Sequence, residues 1–81
     1  MSRWVLYSKP ECELCEVMQT DLLAVLGEHG GKVQVVDISG DPELESRFGR
    51  KIPVLTVDEE IVCVYRINEQ RVRHWVAKTL P

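Results

Sequence analysis

The stretch that decides the fold is residues 8–18, SKPECELCEVM, in which two cysteines stand three positions apart. Residues 3–7, RWVLY, precede it, and their β-branched and aromatic side chains are typical of a strand that is covered on both faces. Pro10 lies in the break that follows this strand. From Leu14 onward the apolar side chains recur at helical spacing. The cysteine pair therefore lies where a strand gives way to a helix.

The segment that follows predicts a β-α-β unit. The HGG of residues 29–31 is expected to end the first helix, and residues 32–38, KVQVVDI, are typical of a second strand. A helix between two strands of this length implies a right-handed crossover, which makes the two strands parallel.

The next segment contains a short helix and a hairpin. Asp41 is a good N-cap, Pro42 suits the first helical position and Gly49 follows the end, so we expect a helix over Pro42–Phe48. Residues 54–57 and 61–67 are predicted to form two strands. The acidic residues between them give a connection of hairpin length, so this pair must be antiparallel.

The last predicted helix completes an α/β domain. Asn68 is its expected N-cap, and its apolar stripe would dock on the sheet through Val72, Trp75, Val76 and Leu80. The predicted order is β-α-β-α-β-β-α, with helices covering a four-stranded mixed sheet. A chain of 81 residues is too short for two cores, so we expect a single domain over residues 1–81.

Composition and charge exclude several classes of partner and indicate the cellular compartment. A net charge of -3 with scattered basic residues argues against nucleic acid as a partner. No segment has transmembrane length and no signal peptide is evident, so no membrane partner is expected. The 3 cysteines do not form the framework of a secreted disulfide-rich domain. We therefore expect a cytoplasmic protein, and a monomer.

The spacing of Cys12 and Cys15 favours redox chemistry. At the amino end of a helix, the Cys12 sulfur would face free backbone N–H groups, which favour thiolate, the nucleophile of disulfide exchange. Cys15, one turn further, would be shielded and close enough to attack a mixed disulfide at Cys12. A zinc site would need ligands at a second-pair spacing, which Cys63, His29 and His74 do not provide, so no metal site is predicted. Two unreactive cysteines are the other alternative.

With YSKPECELC in this predicted fold, the sequence resembles the glutaredoxin branch of the thioredoxin fold over nearly its whole length. The match rests on Lys9, Cys12 and Cys15, and on Pro53 in KIPVL, which the resemblance implies is cis. It also implies the spatial strand order 2-1-3-4, with helices on both faces of the sheet. The chain is most similar to the short glutaredoxin-like proteins of bacteria.

The resemblance implies a thiol–disulfide oxidoreductase that transfers electrons through the Cys12–Cys15 dithiol in cell redox homeostasis. Its partner would be a disulfide-containing protein or a glutathione mixed disulfide, and the backbone of Ile52, with Pro53, would pair with an extended thiol peptide. No cofactor is expected to be tightly bound. Glutathione is a possible co-substrate, and Lys9, Arg50 and Lys51 could receive its carboxylates. The alternative is that Arg50 and Lys51 are ordinary solvated loop charges.

The sequence also departs from the glutaredoxin pattern. Glu13-Leu14 stands where Pro-Tyr is usual between the cysteines, and Lys51-Ile52 stands where Thr-Val is common. Residues 65–70, YRINEQ, lack the Gly-Gly turn that holds one end of glutathione. These departures argue against glutathione binding. Two other functions stay open: an iron–sulfur cluster carrier using Cys12 and glutathione, which the same departures disfavour, and a redox-inactive adaptor.

Overall fold

A computed structural model describes residues 2–79 of the chain. Its elements are β1 (Trp4–Ser8), α1 (Glu13–Leu26), a 3-10 segment (Gly27–Lys32), β2 (Val33–Asp37), α2 (Pro42–Phe48), β3 (Val54–Val57), β4 (Glu60–Val64) and α3 (Glu69–Thr79). The predicted order of strands and helices is confirmed. Leu80, expected on the apolar face of the last helix, lies outside the described residues.

The four strands form one mixed sheet in the order β2-β1-β3-β4. β1 is parallel to β2 and antiparallel to β3, and β3 is antiparallel to β4. At one end of the strands, Ser8 pairs with Asp37, Tyr7 with Val54, and Val54 with Val64. The loops after β1 and β4 and the loop before β3 therefore leave the sheet at this end, which we call the β1 end because β1 finishes there.

The larger core lies between the sheet and helices α1 and α3. It contains Trp4, Leu6, Met18, Leu22, Leu26, Leu55, Val57, Val62, Cys63 and Val72. Trp4 also donates a hydrogen bond from its indole nitrogen to the Thr79 hydroxyl at 3.3 Å, which ties the end of α3 to β1. Both helices therefore pack on this face of the sheet.

A smaller core lies on the opposite face, beneath α2. Ile38, Phe48 and Val54 are buried there, and Tyr7 stacks on Phe48 with ring centroids 4.5 Å apart. Trp4, Val5 and Leu6 are all buried, which confirms that β1 is covered on both sides. The prediction of helices on both faces is therefore confirmed, and Tyr7 is a core residue.

A β-bulge in β4 places two consecutive side chains in the larger core. Leu55 pairs with Cys63 and Thr56 pairs with Ile61, so Val62 has no partner of its own. Both Val62 and Cys63 belong to the larger core. Cys63 is 9 % exposed, which confirms that it is a small buried hydrophobe.

Local signals set the short helix and the hairpin as predicted. The Asp41 carboxylate accepts the N–H of Leu44 at 3.1 Å, and Pro42 occupies the first turn of α2. In the hairpin, Asp58 and Glu59 both have positive φ, 50° and 72°, as the tight turn between twisted strands requires.

Two boundaries differ from the prediction by more than one residue. α1 ends at Leu26 because Gly27 adopts a φ of 56°, so residues 29–31 belong to the 3-10 segment that follows. β4 ends at Val64 because Tyr65 leaves the strand with a φ of 67°. Within residues 2–79, no helix combines the length and apolar character needed to cross a membrane.

Candidate active site

Cys12 is the N-cap of α1. Its backbone is extended, its carbonyl accepts the N–H of Glu16 at 3.1 Å, and its sulfur accepts the N–H of Cys15 at 3.2 Å. That N–H is one of the donors that a helix leaves free in its first turn. A negative charge on the sulfur is stabilised by this bond and by the positive end of the helix dipole. The predicted position of Cys12 is confirmed.

The two sulfurs of the pair differ in exposure. The Cα atoms of Cys12 and Cys15 are 5.2 Å apart, and their Sγ atoms lie at disulfide distance. Cys12 is partly exposed, whereas Cys15 is buried at 4 % exposure. An incoming substrate can therefore reach Cys12 more readily, and Cys15 is placed to attack Cys12 from inside.

The loop that leads into α1 contains a left-handed residue. Glu11 has a φ of 59°, directly after Pro10 and directly before Cys12. Proline followed by a residue with positive φ is the arrangement of a tight turn, in which glycine or asparagine is the usual second residue. This turn redirects the chain from β1 so that Cys12 can begin the helix.

A second loop reaches the β1 end of the sheet just before β3. The Ile52–Pro53 peptide bond in this loop is cis, as the resemblance implied. Pro53 is buried and Ile52 packs against the smaller core. Because Val54 pairs with Tyr7, this loop leaves the sheet next to the loop that carries the cysteines. We call residues 50–53 the proline loop.

Tyr65 holds the proline loop by two hydrogen bonds. Its N–H donates to the Pro53 carbonyl at 3.0 Å, and its hydroxyl donates to the Arg50 carbonyl at 2.9 Å. The N–H of Arg66 donates to the Val64 carbonyl at 2.7 Å, which makes Tyr65 the central residue of a γ-turn with positive φ. Such turns are strained and persist where neighbouring contacts fix them.

Lys9 forms an ion pair with α2. Its Nζ lies 2.5 Å from Oε1 of Glu45. Nearby, the pKa of Asp37 is lowered, first by hydrogen bonds from Ser39, whose N–H donates to the carboxylate at 2.8 Å, and to a smaller degree by the charge of Lys9. The cation of Lys9 is thus paired with Glu45, and its predicted contact with substrate stays a prediction.

The predicted substrate-binding residue Lys51 lines an open hollow beside the proline loop. This basic hollow, of about 450 Å³, is lined by Glu45, Ser46, Arg47, Arg50 and Lys51. Lys51 and Arg50 are exposed. Lys9 reaches the hollow through Glu45, so the three cations named from the sequence lie on one side of the site.

Sequence reasoning did not identify Tyr65 or Glu45 as parts of the site. Tyr65 was assigned to a strand, and Glu45 was one of several acidic residues in a predicted helix. No local pattern identifies either one, because both act through partners that are distant in the chain. The described residues contain no group of three or more His, Cys, Asp or Glu side chains placed to hold a metal ion.

Comparison with known proteins identifies a family. The model of the "Glutaredoxin-like domain (DUF836)" family matches residues 3–77, which is nearly the whole chain. No curated protein matches the chain significantly.

Solved structures of bacterial proteins share the fold. Protein Ne2328 from Nitrosomonas europaea, a solution NMR structure, has a TM-score of 0.80 and 22 % identity, covering 91 % of this chain and 89 % of that one. The structural genomics target XcR50 from X. campestris has a TM-score of 0.71 and 28 % identity, covering 94 % and 97 %. SA0789 from Staphylococcus aureus, described as a protein of unknown function, has a TM-score of 0.65 and 17 % identity, covering 98 % and 91 %.

The fold, the site and the family model agree. The sheet order and the three helices are those of a thioredoxin-like domain. The Cys12–Cys15 pair at the start of α1 fits a redox role. The chain belongs to the glutaredoxin-like domain family.

Proposed function

We propose that this protein is a thiol–disulfide oxidoreductase of the reducing cytoplasm, with Cys12 as the nucleophile and Cys15 as the resolving thiol. The observation that carries the proposal is the position of Cys12 as N-cap, with its sulfur accepting the Cys15 N–H at 3.2 Å while the Cys15 side chain is buried. This arrangement stabilises a thiolate on the more accessible sulfur. Thiol–disulfide exchange is also the chemistry that the resemblance to glutaredoxins implied.

The reaction has two exchange steps. The Cys12 thiolate attacks one sulfur of a substrate disulfide, which breaks the substrate S–S bond and forms a mixed disulfide, and the other substrate sulfur leaves and takes a proton from water. Cys15 then loses its proton to solvent and attacks the Cys12 sulfur, releasing the second substrate thiol. Two electrons pass from the protein to the substrate, and a thiol reductant such as glutathione later restores the dithiol.

The proline loop is proposed to align the substrate. The backbone of Ile52 beside Pro53 would pair with the extended chain around the substrate cysteine, as in strand addition. Tyr65 supports this role, since its two hydrogen bonds fix Arg50 and Pro53 on either side of Ile52. Lys51, exposed in the basic hollow, is proposed to receive a carboxylate of glutathione or of the substrate.

Thiol trapping in glutathione redox buffers tests the proposal. The wild type and the Cys12→Ser and Cys15→Ser variants would each be prepared with Cys63→Ala, so that only the pair can react. After equilibration at graded ratios of oxidised to reduced glutathione, free thiols are alkylated and the products are weighed. We expect a reversible internal disulfide in the protein with both cysteines, and a glutathione adduct on Cys12 in the Cys15→Ser variant.

Three other outcomes would argue against the proposal. No internal disulfide in the most oxidising buffer would contradict redox activity of the pair. In samples quenched before equilibrium, an adduct that forms on Cys15 in the Cys12→Ser variant as fast as on Cys12 in the Cys15→Ser variant would mean that the nucleophile is wrongly assigned. An internal disulfide without any adduct would exclude glutathione as the co-substrate and leave a dithiol donor.

A further inference from the structure

An apolar groove with an acidic rim lies along α1, on the other side of the cysteine pair from the basic hollow. This α1 groove, of about 390 Å³, is lined by Glu13, Leu14, Val17, Asp21, Arg66 and Ile67. A second hollow of about 240 Å³ continues it along the helix and shares Glu13, Val17 and Asp21. Leu14 lies between the two cysteines in the sequence, so the groove begins beside the first turn of α1, which carries the cysteine pair.

The floor of the groove is apolar and exposed. Leu14 is 39 % exposed and Val17 is 48 % exposed, and neither belongs to the buried residues of α1. The core contacts of α1 are made by other residues: Cys15, Met18, Leu22 and Leu26. Leu14 and Val17 are therefore not required to hold the helix on the sheet, and their exposed surface is available to a partner.

The rim of the groove carries net negative charge. Glu13, Glu16 and Asp21 border the groove and its extension, and Arg66 is the one cation in their lining. Over residues 2–79, ion pairs form between Lys9 and Glu45 and between Arg73 and Glu69, and neither involves this rim. The groove thus presents carboxylates that lack a cationic partner in the described part of the chain.

We propose that the α1 groove binds a segment of a protein substrate that flanks its reacting cysteine, and that this segment carries an apolar side chain and a lysine or arginine. The inference rests on the proposed oxidoreductase function and names its substrate class. The apolar side chain would cover Leu14 and Val17, and the cation would lie among the rim carboxylates. The groove takes no part in the two exchange steps themselves.

Other occupants fit the groove less well. Glutathione has net negative charge and no large apolar side chain, so the rim repels it and the floor gives it little to bury. A second copy of this chain carries a net charge of -3 and would be repelled as a whole. A cationic, partly apolar polypeptide satisfies both features of the groove.

The test measures how fast the reduced protein cleaves peptide disulfides. Two synthetic peptides contain the same cysteine, joined in a mixed disulfide to the neutral thiol 2-mercaptoethanol, and a leucine followed by either lysine or glutamate. Second-order rates are measured in a single turnover with an acid quench. Each rate is divided by the rate with neutral bis(2-hydroxyethyl) disulfide, so that changes in the reactivity of Cys12 cancel.

We expect the lysine peptide to react about tenfold faster than the glutamate peptide at low salt, and the difference to shrink at high salt. Replacing the peptide leucine by serine should slow both peptides by about fivefold. The Asp21→Lys variant should reduce the lysine preference to about twofold. One surface charge contact is worth little, but this substitution both removes a carboxylate and adds a cation. Thr20→Lys, on the same hollow, should change it in the same direction.

The matched control is Glu28→Lys. This substitution makes the same charge change at an exposed residue beyond the far end of α1. It should leave the lysine preference intact. An equal fall in preference in Glu28→Lys and Asp21→Lys would show that net charge alone decides, and would overturn the proposal.

Further outcomes separate this proposal from the one on which it rests. If the neutral disulfide oxidises the pair but the two peptides react equally, the groove proposal fails and the oxidoreductase stands. If no disulfide oxidises the pair, both fail. A wild type that sediments as a dimer, with a monomeric Asp21→Lys variant, would show that a second copy covers the groove and would overturn the proposal.

Discussion

The basic hollow and the α1 groove lie on two sides of one dithiol and differ in chemistry. The hollow, next to the proline loop, is polar and is lined by Arg47, Arg50 and Lys51 with Glu45. The groove has an apolar floor and an acidic rim. The proposed exchange chemistry needs only the cysteine pair, so the surroundings would decide which disulfides react and in which orientation.

The opposite charges of the two sides would orient a peptide across the site. Under the two proposals, a substrate with a cation on one flank of its cysteine and a carboxylate on the other would fit in one direction and would be repelled in the other. The basic side is already partly neutralised, since Lys9 is paired with Glu45. The acidic side has no such pairing within residues 2–79, so it should discriminate more strongly between substrates.

The largest expected effect comes from removing the Cys12 sulfur, which is needed for the reaction of every substrate. Cys12→Ser should abolish disulfide cleavage of both the lysine and the glutamate peptide, since no other thiol begins the reaction. The rate is measured as above, with Cys63→Ser as the matched control for loss of one thiol. Residual cleavage in Cys12→Ser above that of a protein lacking both cysteines of the pair would show that Cys15 is reached directly.

The next effect sharpens the contrast between the two sides. Lys51→Glu should slow the reaction with oxidised glutathione by about fivefold, because it reverses an exposed charge in the basic hollow. The same variant should raise the preference for the lysine peptide. Lys32→Glu, at the opposite end of the sheet, is the control. It should change neither the rate with oxidised glutathione nor the preference for the lysine peptide. Unchanged reaction of Lys51→Glu with oxidised glutathione would remove Lys51 from the substrate-binding residues.

A smaller effect should slow the reactions of the lysine and the glutamate peptide equally. Tyr65→Phe removes the hydrogen bond to the Arg50 carbonyl but keeps the bond from its own N–H to Pro53. We expect both peptides to react about threefold more slowly, with a stability loss below about 1 kcal/mol, since one exposed hydrogen bond is lost. Peptide kinetics and denaturant unfolding measure the two quantities. A change in the lysine preference would mean that Tyr65 acts through charge placement, contrary to this interpretation.

The smallest expected effect concerns the third thiol, which lies on neither side. Burial raises the pKa of Cys63, with smaller opposing contributions from the Asn68 backbone and from Arg71. The folded protein therefore holds this proton more tightly than the unfolded chain does, so the stability it contributes is present below a pH of about 8.5 and declines as the pH rises. Cys63→Val should flatten this decline in urea unfolding curves. An identical pH dependence in both proteins would contradict the raised pKa.

Local sequence signals predicted the elements well where they are self-contained. Asp41, Pro42 and Gly49 set the bounds of α2 because a cap and a first-turn proline act within a few residues. The end of β4 could not be predicted in this way. The apolar pattern continues through Ile67, and nothing in the identity of Tyr65 announces a φ of 67°. That conformation is fixed by hydrogen bonds to Pro53 and Arg50.

The sequence by itself determined the strand–helix junction, the Cys12–Cys15 pair and the thioredoxin-like order of elements. Each depends on spacing, capping or periodicity over short stretches of chain, and these act before distant parts meet. Only the tertiary structure decided which side chains surround the dithiol. The pairing of Lys9 with Glu45, the bonds of Tyr65 to the proline loop and the groove that Arg66 lines together with α1 all join segments distant in the chain. They form because the sheet brings those segments to one end.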